Sequence, residues 1–462
     1  MNNFNKILLF TLLFLGYIFH HPTLAQSSAQ TWPLTVGIAK RNITPDQEVK
    51  NWVTGQPYAF VHDSIYSRAL VINDGQQRAV ILTWDIVNAG ESATDKVRTK
   101  IAEATGIPAG NVLVSATHNH SAPWSPVYEG GFRGKEQDSW WAVRYMPPQY
   151  DDPHYHQWME MLIDQSVSAV QAALAQMHPA TLWISRSDIS QYVQNRRPRN
   201  TSWGIAETKL PENFNYKHPE WDPKLLADGS RFGAMDRTMT ILSFKATDGS
   251  PLATLFQMTA HAVAIYPFLD GISADWPGET IRKLHQKNLG EAIFLQGTAG
   301  DINPAQRGEE AVDSMANAIS DQIAKGLKYG ARLEEAPLTC RSTKIGLPLT
   351  ATGQEITGLK ALDVEIQVLN IGPLAIVTLP GEPMTEIGMA IRAQSPFPQT
   401  LVLGYANGSG VYYVGMPGER KYGGYETGEK TNIGNDIAGS LMAQTAIALL
   451  EELFEEYHQS KK

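Results

Sequence analysis

The sequence predicts an α+β fold: a single large mixed-sheet domain with interleaved helices. β-rich runs come in hairpin pairs, amphipathic helices fall between the pairs, and no internal repeat or low-complexity linker divides the chain. With 43% hydrophobic and 18% charged residues in 462, the chain has enough apolar material for a large core. This excludes a disordered, collagen-like or long coiled-coil protein.

The elements follow in order. Residues 1–25 read as a signal peptide. Lys6 gives the positive start, Ile7 to Phe19 the apolar segment, and Thr23-Leu24-Ala25 a small-residue cleavage site before Gln26. The apolar segment falls short of the ~20 residues that cross a bilayer; an uncleaved anchor is the alternative. No cysteine follows it, so a lipoprotein signal is excluded. The expected mature chain, residues 26–462, is a single secreted or periplasmic domain with no integral membrane span.

Ser67–Asn73 and Ala79–Val87 are strands joined through Asp74-Gly75, and Asn111–Ala116 is a further strand. Tyr155–Met177 is a helix with Ile163, Val167, Val170 and Leu174 on one face. Asp248-Gly249 turns a hairpin between Thr238–Lys245 and Leu252–Met258, and Ile293–Gln296 is a short buried strand. Glu309–Leu327 is helical, Val364–Leu369 pairs with Leu374–Leu379, and a helix over Asp436–Tyr457 ends the chain.

The formal charge is −9, and loss of Lys6 with the leader makes it −9 − 1 = −10. With a pI of 5.8, nucleic acid is excluded as a partner. A lone cysteine, Cys340, excludes a disulfide framework and a thiolate metal cage, so a metal here would need nitrogen or oxygen ligands.

Three residues share one kind of position. His118, His261 and Glu382 each stand just past the C-terminal end of an apolar strand, where sheets collect functional side chains. Two His and one Glu form a common catalytic zinc set with a position open to water. Each also has a plainer reading. His118 and His120, at i and i+2, are both ligands or both polar loop residues; His261 is a satisfied core histidine. Glu382 is a first-turn carboxylate, with Pro383 opening a helix through Ala390. Gly297-Thr298-Ala299-Gly300-Asp301-Ile302-Asn303-Pro304 is an anion-facing loop or an ordinary turn, and it lacks the Lys-Ser/Thr of a phosphate loop. Asn195-Arg196-Arg197-Pro198-Arg199 is an anion or carbonyl clamp, or a solvated turn. The aromatic run holding Trp140, Trp141, Tyr145, Tyr150, Tyr155 and Trp158 is a substrate rim or ordinary packing.

Several motifs together resemble the neutral/alkaline (non-lysosomal) ceramidase family, from Val36-Gly37-Ile38-Ala39 through Tyr425-Glu426. Val114-Ser115-Ala116-Thr117-His118-Asn119-His120-Ser121 is similar to its signature, which has Thr between the histidines. Gly300-Asp301-Ile302-Asn303-Pro304 resembles its Gly-Asp-Val-Ser-Pro, and Leu379-Pro380-Gly381-Glu382-Pro383 matches. Tyr413 and Tyr425-Glu426 keep the family's spacing.

The resemblance implies one catalytic Zn2+ held by His118, His261, Glu382 and Tyr413. It places His120 beside the substrate carbonyl, and Arg196 and Tyr425 along the scissile amide. Asn303 stands where the family has a functional Ser, and Asp301 is the nearest candidate for a general base. The implied activity is hydrolysis of an N-acyl linkage, in ceramide or a related lipid amide, with a lipid or small molecule as substrate. Because of Asn303, two alternatives stand: a zinc hydrolase of another ester, amide or sugar-linked substrate, or an inactive lipid- or glycan-binding homologue. The family's C-terminal immunoglobulin-like domain has no counterpart in the pattern, since the chain ends on a helix.

Overall fold

A computed structural model describes residues 34–128, 152–197, 232–334 and 337–459. The expected leader, the aromatic run from Trp140 to Tyr150, and Pro198-Arg199 lie outside the described residues. Eight strands follow one another across the main sheet in the order Glu291–Gln296, Pro251–Met258, Thr238–Lys245, His178–Asp188, Leu34–Asn42, Tyr66–Asn73, Arg78–Trp84 and Val112–Ala116, and Ala331–Arg332 is a ninth, pairing with His178–Asp188. Its outermost pairs are parallel and its centre is antiparallel. A second sheet runs Leu338–Pro348, Ala361–Ile371, Leu374–Thr378, Gln399–Leu403.

Alternation along the strands defines the layers, because successive side chains point to opposite faces. Leu70, Ile72, Ile81, Leu113, Leu255 and Leu295 of the large sheet pack with Leu369, Leu374, Ile376 and Leu401 of the small one. The other face of the large sheet is covered twice. Val71, Val80, Leu82 and Val114 share a core with Leu162, Ala169 and Val170 of the helix Pro153–Leu174. Ile241, Phe256 and Phe294 pack with Ile281 of the helix Asp275–Gln286 and Ile319 of the helix Glu309–Tyr329. The outer face of the small sheet, with Val368 and Val377, lies under Met442, Ala446 and Leu450 of the helix Ala438–Gln459. Most strands of both sheets are therefore buried on both faces, which is why they read as continuous apolar runs; His178–Asp188 and Leu338–Pro348 are the part-exposed exceptions.

The mixed α+β architecture stands as read, and the second sheet sharpens it. The strands His178–Asp188 and Leu338–Pro348 and the helices Glu91–Thr105 and Asp275–Gln286 are additions to the sequence reading. Leu338–Pro348 is mostly polar and part-exposed, and Glu91–Thr105 buries only one edge, at Ala93, Val97 and Ile101 among others, so neither carries a strong apolar period. Tyr155 and Trp158 are core rings: their polar tips donate to Trp124 O at 3.0 Å and Ile43 O at 2.6 Å. Among the described residues no helix is long and apolar enough to cross a membrane.

Candidate metal centre

His118 leaves the end of the fully buried strand Val112–Ala116. Its backbone sits in the left-handed region at φ 59°, a conformation that costs a non-glycine residue about 1–3 kcal/mol. The loop is pinned on both sides. Thr117 N donates to Trp84 O at 2.9 Å and Asn119 N to Ile86 O at 3.2 Å. The Asn119 amide turns away from both imidazoles and donates to Ser273 O. An isolated parallel bridge joins Asn119 to Ala262, so the His118 and His261 loops run side by side. Gln296 ties them again: its Nε2 donates to Thr117 O at 3.1 Å and Ala260 O at 2.7 Å. The His261 loop is also held by Asp275, whose carboxylate accepts from Ala264 N and Ile265 N, both at 3.0 Å.

Glu382 arrives by a different route from the one its Pro suggests. Glu382–Pro383 forms a two-residue parallel ladder with Tyr413–Val414, and the helix begins only at Thr385. The first-turn reading of Glu382 is thereby corrected: its backbone N–H donates to Tyr412 O at 2.8 Å, in strand geometry. Two glycines make the approach possible. Gly381 has φ 71°, and a Cβ there would stand 2.5 Å from Tyr412 O; a Cβ on Gly300 would stand 2.6 Å from Glu382 O.

These loops converge. Glu382 Oε2 lies 3.2 Å from His118 Nε2 and 3.3 Å from His261 Nε2. His120 Nε2 lies 3.0 Å from His118 Nε2, and a ring nitrogen from each of the three histidines falls within 4.8 Å of the others. His118, His261 and Glu382 are 1%, 0% and 2% exposed, so water does not solvate them. His118 Nδ1 meets Val87 O at 2.7 Å, and His261 Nδ1 meets Ile302 O at 3.0 Å. A carbonyl can only accept, so in each ring Nδ1 carries a proton, which turns Nε2 toward the centre as the ligating nitrogen. Burial, then Arg196 and His118, lower His261 to about 3, and burial with the neighbouring imidazoles holds His120 well below its ordinary range. The His261 Nε2 lone pair and a Glu382 carboxylate oxygen therefore face one another, with His118 Nε2 beside them. His261 Nε2 and Glu382 Oε1 have no hydrogen-bond partner. The donor set is that of a borderline-soft divalent cation, and a cation would relieve its mutual repulsion.

The remaining predicted residues surround this cluster. Arg196 Nη2 donates to Tyr413 OH and to Gly300 O, both at 3.0 Å, its Nη1 to Asn303 Oδ1 at 3.2 Å, and its Nε to Glu426. The charge of Glu426, with Tyr413 and Glu382, outweighs burial and holds Arg196 well above its ordinary range. Burial, then the Glu382 charge, pushes the Tyr413 phenol well up. Tyr425 is 58% exposed, with its ring 5.6 Å from that of Tyr413. The Asp301 carboxylate accepts from Thr385 N at 2.8 Å and Asn195 Nδ2 at 2.7 Å, which ties the loop to the helix start at Thr385.

Sequence reasoning missed Tyr405, Gln296 and the rings beside His120. Tyr405 stacks on His118 at 4.0 Å, and its OH donates to Glu382 Oε2 at 3.4 Å. It follows the strand Gln399–Leu403, so the strand-end signal that marks the other three residues also marks it. Trp52 and Tyr266 approach the His120 ring at 5.5 and 5.1 Å, and no sequence motif announced them.

Imidazoles and a carboxylate gathered at strand ends define a centre of the kind hydrolases build around a metal ion. The family model for neutral/alkaline non-lysosomal ceramidase, N-terminal, matches residues 53–321, more than half of the chain, and the protein belongs to that family of ceramidase-like hydrolases. The fold is that of neutral ceramidase from Pseudomonas aeruginosa: TM-score 0.67 at 18% identity, over 91% of this chain and 75% of that one. A ceramidase complexed with C2 is similar at TM-score 0.68 and 19% identity, over 91% and 76% of the two chains.

Proposed function

We propose that the protein is an exported, zinc-dependent amidohydrolase that cleaves the N-acyl linkage of ceramide or a related lipid amide. The observation that carries this reading is that His118 Nε2 and His261 Nε2 lie 3.2 and 3.3 Å from one Glu382 oxygen, with all three side chains buried. His118, His261, Glu382 and Tyr413 would hold the ion. Zinc bound by such a set supplies Lewis acidity, which acidifies a water and polarises a carbonyl.

The chain's own residues do the rest. Val87 O and Ile302 O keep both imidazoles in the ligating tautomer. Arg196, compensated by Glu426, orients the Tyr413 hydroxyl and places positive charge beside the scissile amide. Tyr425, at the mouth of the site, donates to the substrate oxygen. His120 polarises the substrate carbonyl. Its ring nitrogen, 3.0 Å from His118 Nε2, favours a second reading in which it is a third imidazole ligand.

Three experiments test this. Zinc content and hydrolysis of a ceramide and of short acyl-amides are measured before and after chelation; activity that survives complete zinc removal sinks the mechanism. His120→Ala that keeps zinc and loses kcat supports the carbonyl role, whereas loss of zinc supports ligation. Retained lipid binding with no hydrolysis of any ester, amide or glycoside would make the chain a binding homologue.

A further inference from the structure

We infer that Asn303 is a catalytic residue whose side-chain Nδ2 donates a hydrogen bond to the oxyanion formed at the substrate carbonyl; this rests on the amidohydrolase reading. Asn303 is 1% exposed, in the short strand Ile302–Pro304. Its Oδ1 accepts from Arg196 Nη1 at 3.2 Å, and that contact fixes which end of the amide is oxygen, because a guanidinium can only donate. Nδ2 is buried without a partner. A buried unmade donor costs roughly 1–3 kcal/mol, and such a group in a folded protein calls for a reason.

Its location supplies one. The preceding residue, Ile302, holds His261 through its carbonyl, and the arginine bound to Asn303 also binds Tyr413. Asn303 thus adjoins the residue that holds His261 and shares Arg196 with Tyr413, two of the four proposed ligands. The oxygen end of this amide accepts from Arg196, while both N–H bonds of its nitrogen end are unspent. Gln194 Oε1, on the residue registered opposite Asn303 in the ladder, is also unspent. Nδ2 carries two N–H bonds, so a contact to Gln194 would still leave one for the substrate.

The chemistry needs such a donor. The water oxygen adds to the amide carbon, and the C=O electron pair moves onto oxygen. Return of that pair expels the amine, which leaves with a proton from the water. Negative charge rises on the carbonyl oxygen only in this passage, so a fixed donor there lowers the barrier more than it strengthens substrate binding.

The test compares wild type with Asn303→Leu and with Asn303→Asp, which keeps shape and the Arg196 contact but loses the donor. The readouts are zinc content, kcat and KM on the ceramide, and calorimetric affinity for a lipid phosphinate, a tetrahedral anionic mimic, against the fatty-acid product. Both variants are expected to keep zinc, to lose about 10²–10³-fold in kcat with KM unchanged, and to lose phosphinate affinity while fatty-acid affinity holds. Unchanged kcat and phosphinate affinity would overturn the inference, and so would an equal loss for both ligands or a loss of thermal stability alone. If wild type hydrolyses no amide yet binds the phosphinate through Asn303, the amidase reading fails and the Asn303 contact survives. If wild type hydrolyses amides and both variants match it, the Asn303 role fails alone.

Discussion

Glu382 and Tyr413 are register partners in a parallel ladder only two residues long. The pairing sets a carboxylate and a phenol from distant stretches of chain side by side, opposite the two imidazole loops. Removing the carboxylate charge should therefore empty the centre. Glu382→Gln keeps the shape and is expected to lose bound zinc, read by elemental analysis, together with amide hydrolysis. Full zinc occupancy in this variant would remove Glu382 from the ligand set.

Gln296 acts through the histidines rather than on substrate. It bonds Thr117 O and Ala260 O, each within one residue of a proposed ligand. Gln296→Leu should weaken zinc binding roughly 10–100-fold, the usual effect of losing an outer support. Leaving the two carbonyls unmet should also lower stability by about 1–3 kcal/mol. Competition with a chelator and urea unfolding read the two effects, and wild-type zinc affinity would show that Gln296 does not position the loops.

Asp275 should give stability a distinctive pH dependence. Burial raises its carboxyl from 3.8 to about 6, against the pull of three backbone N–H groups, at Trp276, Ile265 and Ala264. The folded state therefore holds the proton more tightly than the unfolded one. The stability from this group is fully present below pH 4 and is lost as pH rises through about 6. Urea unfolding of wild type and Asp275→Asn from pH 4 to 7 should show wild type losing ground to the variant until about pH 6, then a constant difference. A difference flat from pH 4 upward would contradict the raised value.

Cys340 should be inert in the folded protein. Burial pushes its thiol up to about 12, so the reactive thiolate is scarce at pH 8. Iodoacetamide at pH 8 should label it slowly when native and rapidly in urea, as mass spectrometry would show. Equal rates would place the thiol in water.

The strand ends were the legible part of the site. His118, His261 and Glu382 each follow a strand whose apolar run the sequence displays, because those strands are buried on both faces. Tyr405 follows such a strand too and went unnoticed, since a lone tyrosine between Gly404 and Ala406 carries no ligand signal by itself. The Glu382–Tyr413 ladder had no chance of being read: two residues have no periodicity, and Pro383 points to a helix that starts later. Gln296 was hidden for another reason. It ends a strand, and only its partners, two backbone carbonyls on other loops, reveal its use. Asp301 was the nearest carboxylate in sequence and its role stood open; its bonds to Thr385 N and Asn195 Nδ2 lie beyond what a sequence displays.

Anomalous diffraction from crystals of the purified protein, recorded on both sides of the zinc absorption edge, bears most directly on the proposed centre. One edge-dependent peak is expected, within ~2.0–2.2 Å of His118 Nε2, His261 Nε2 and a Glu382 oxygen. A zinc-replete protein whose only peak lies elsewhere, with those side chains unbridged, would contradict it.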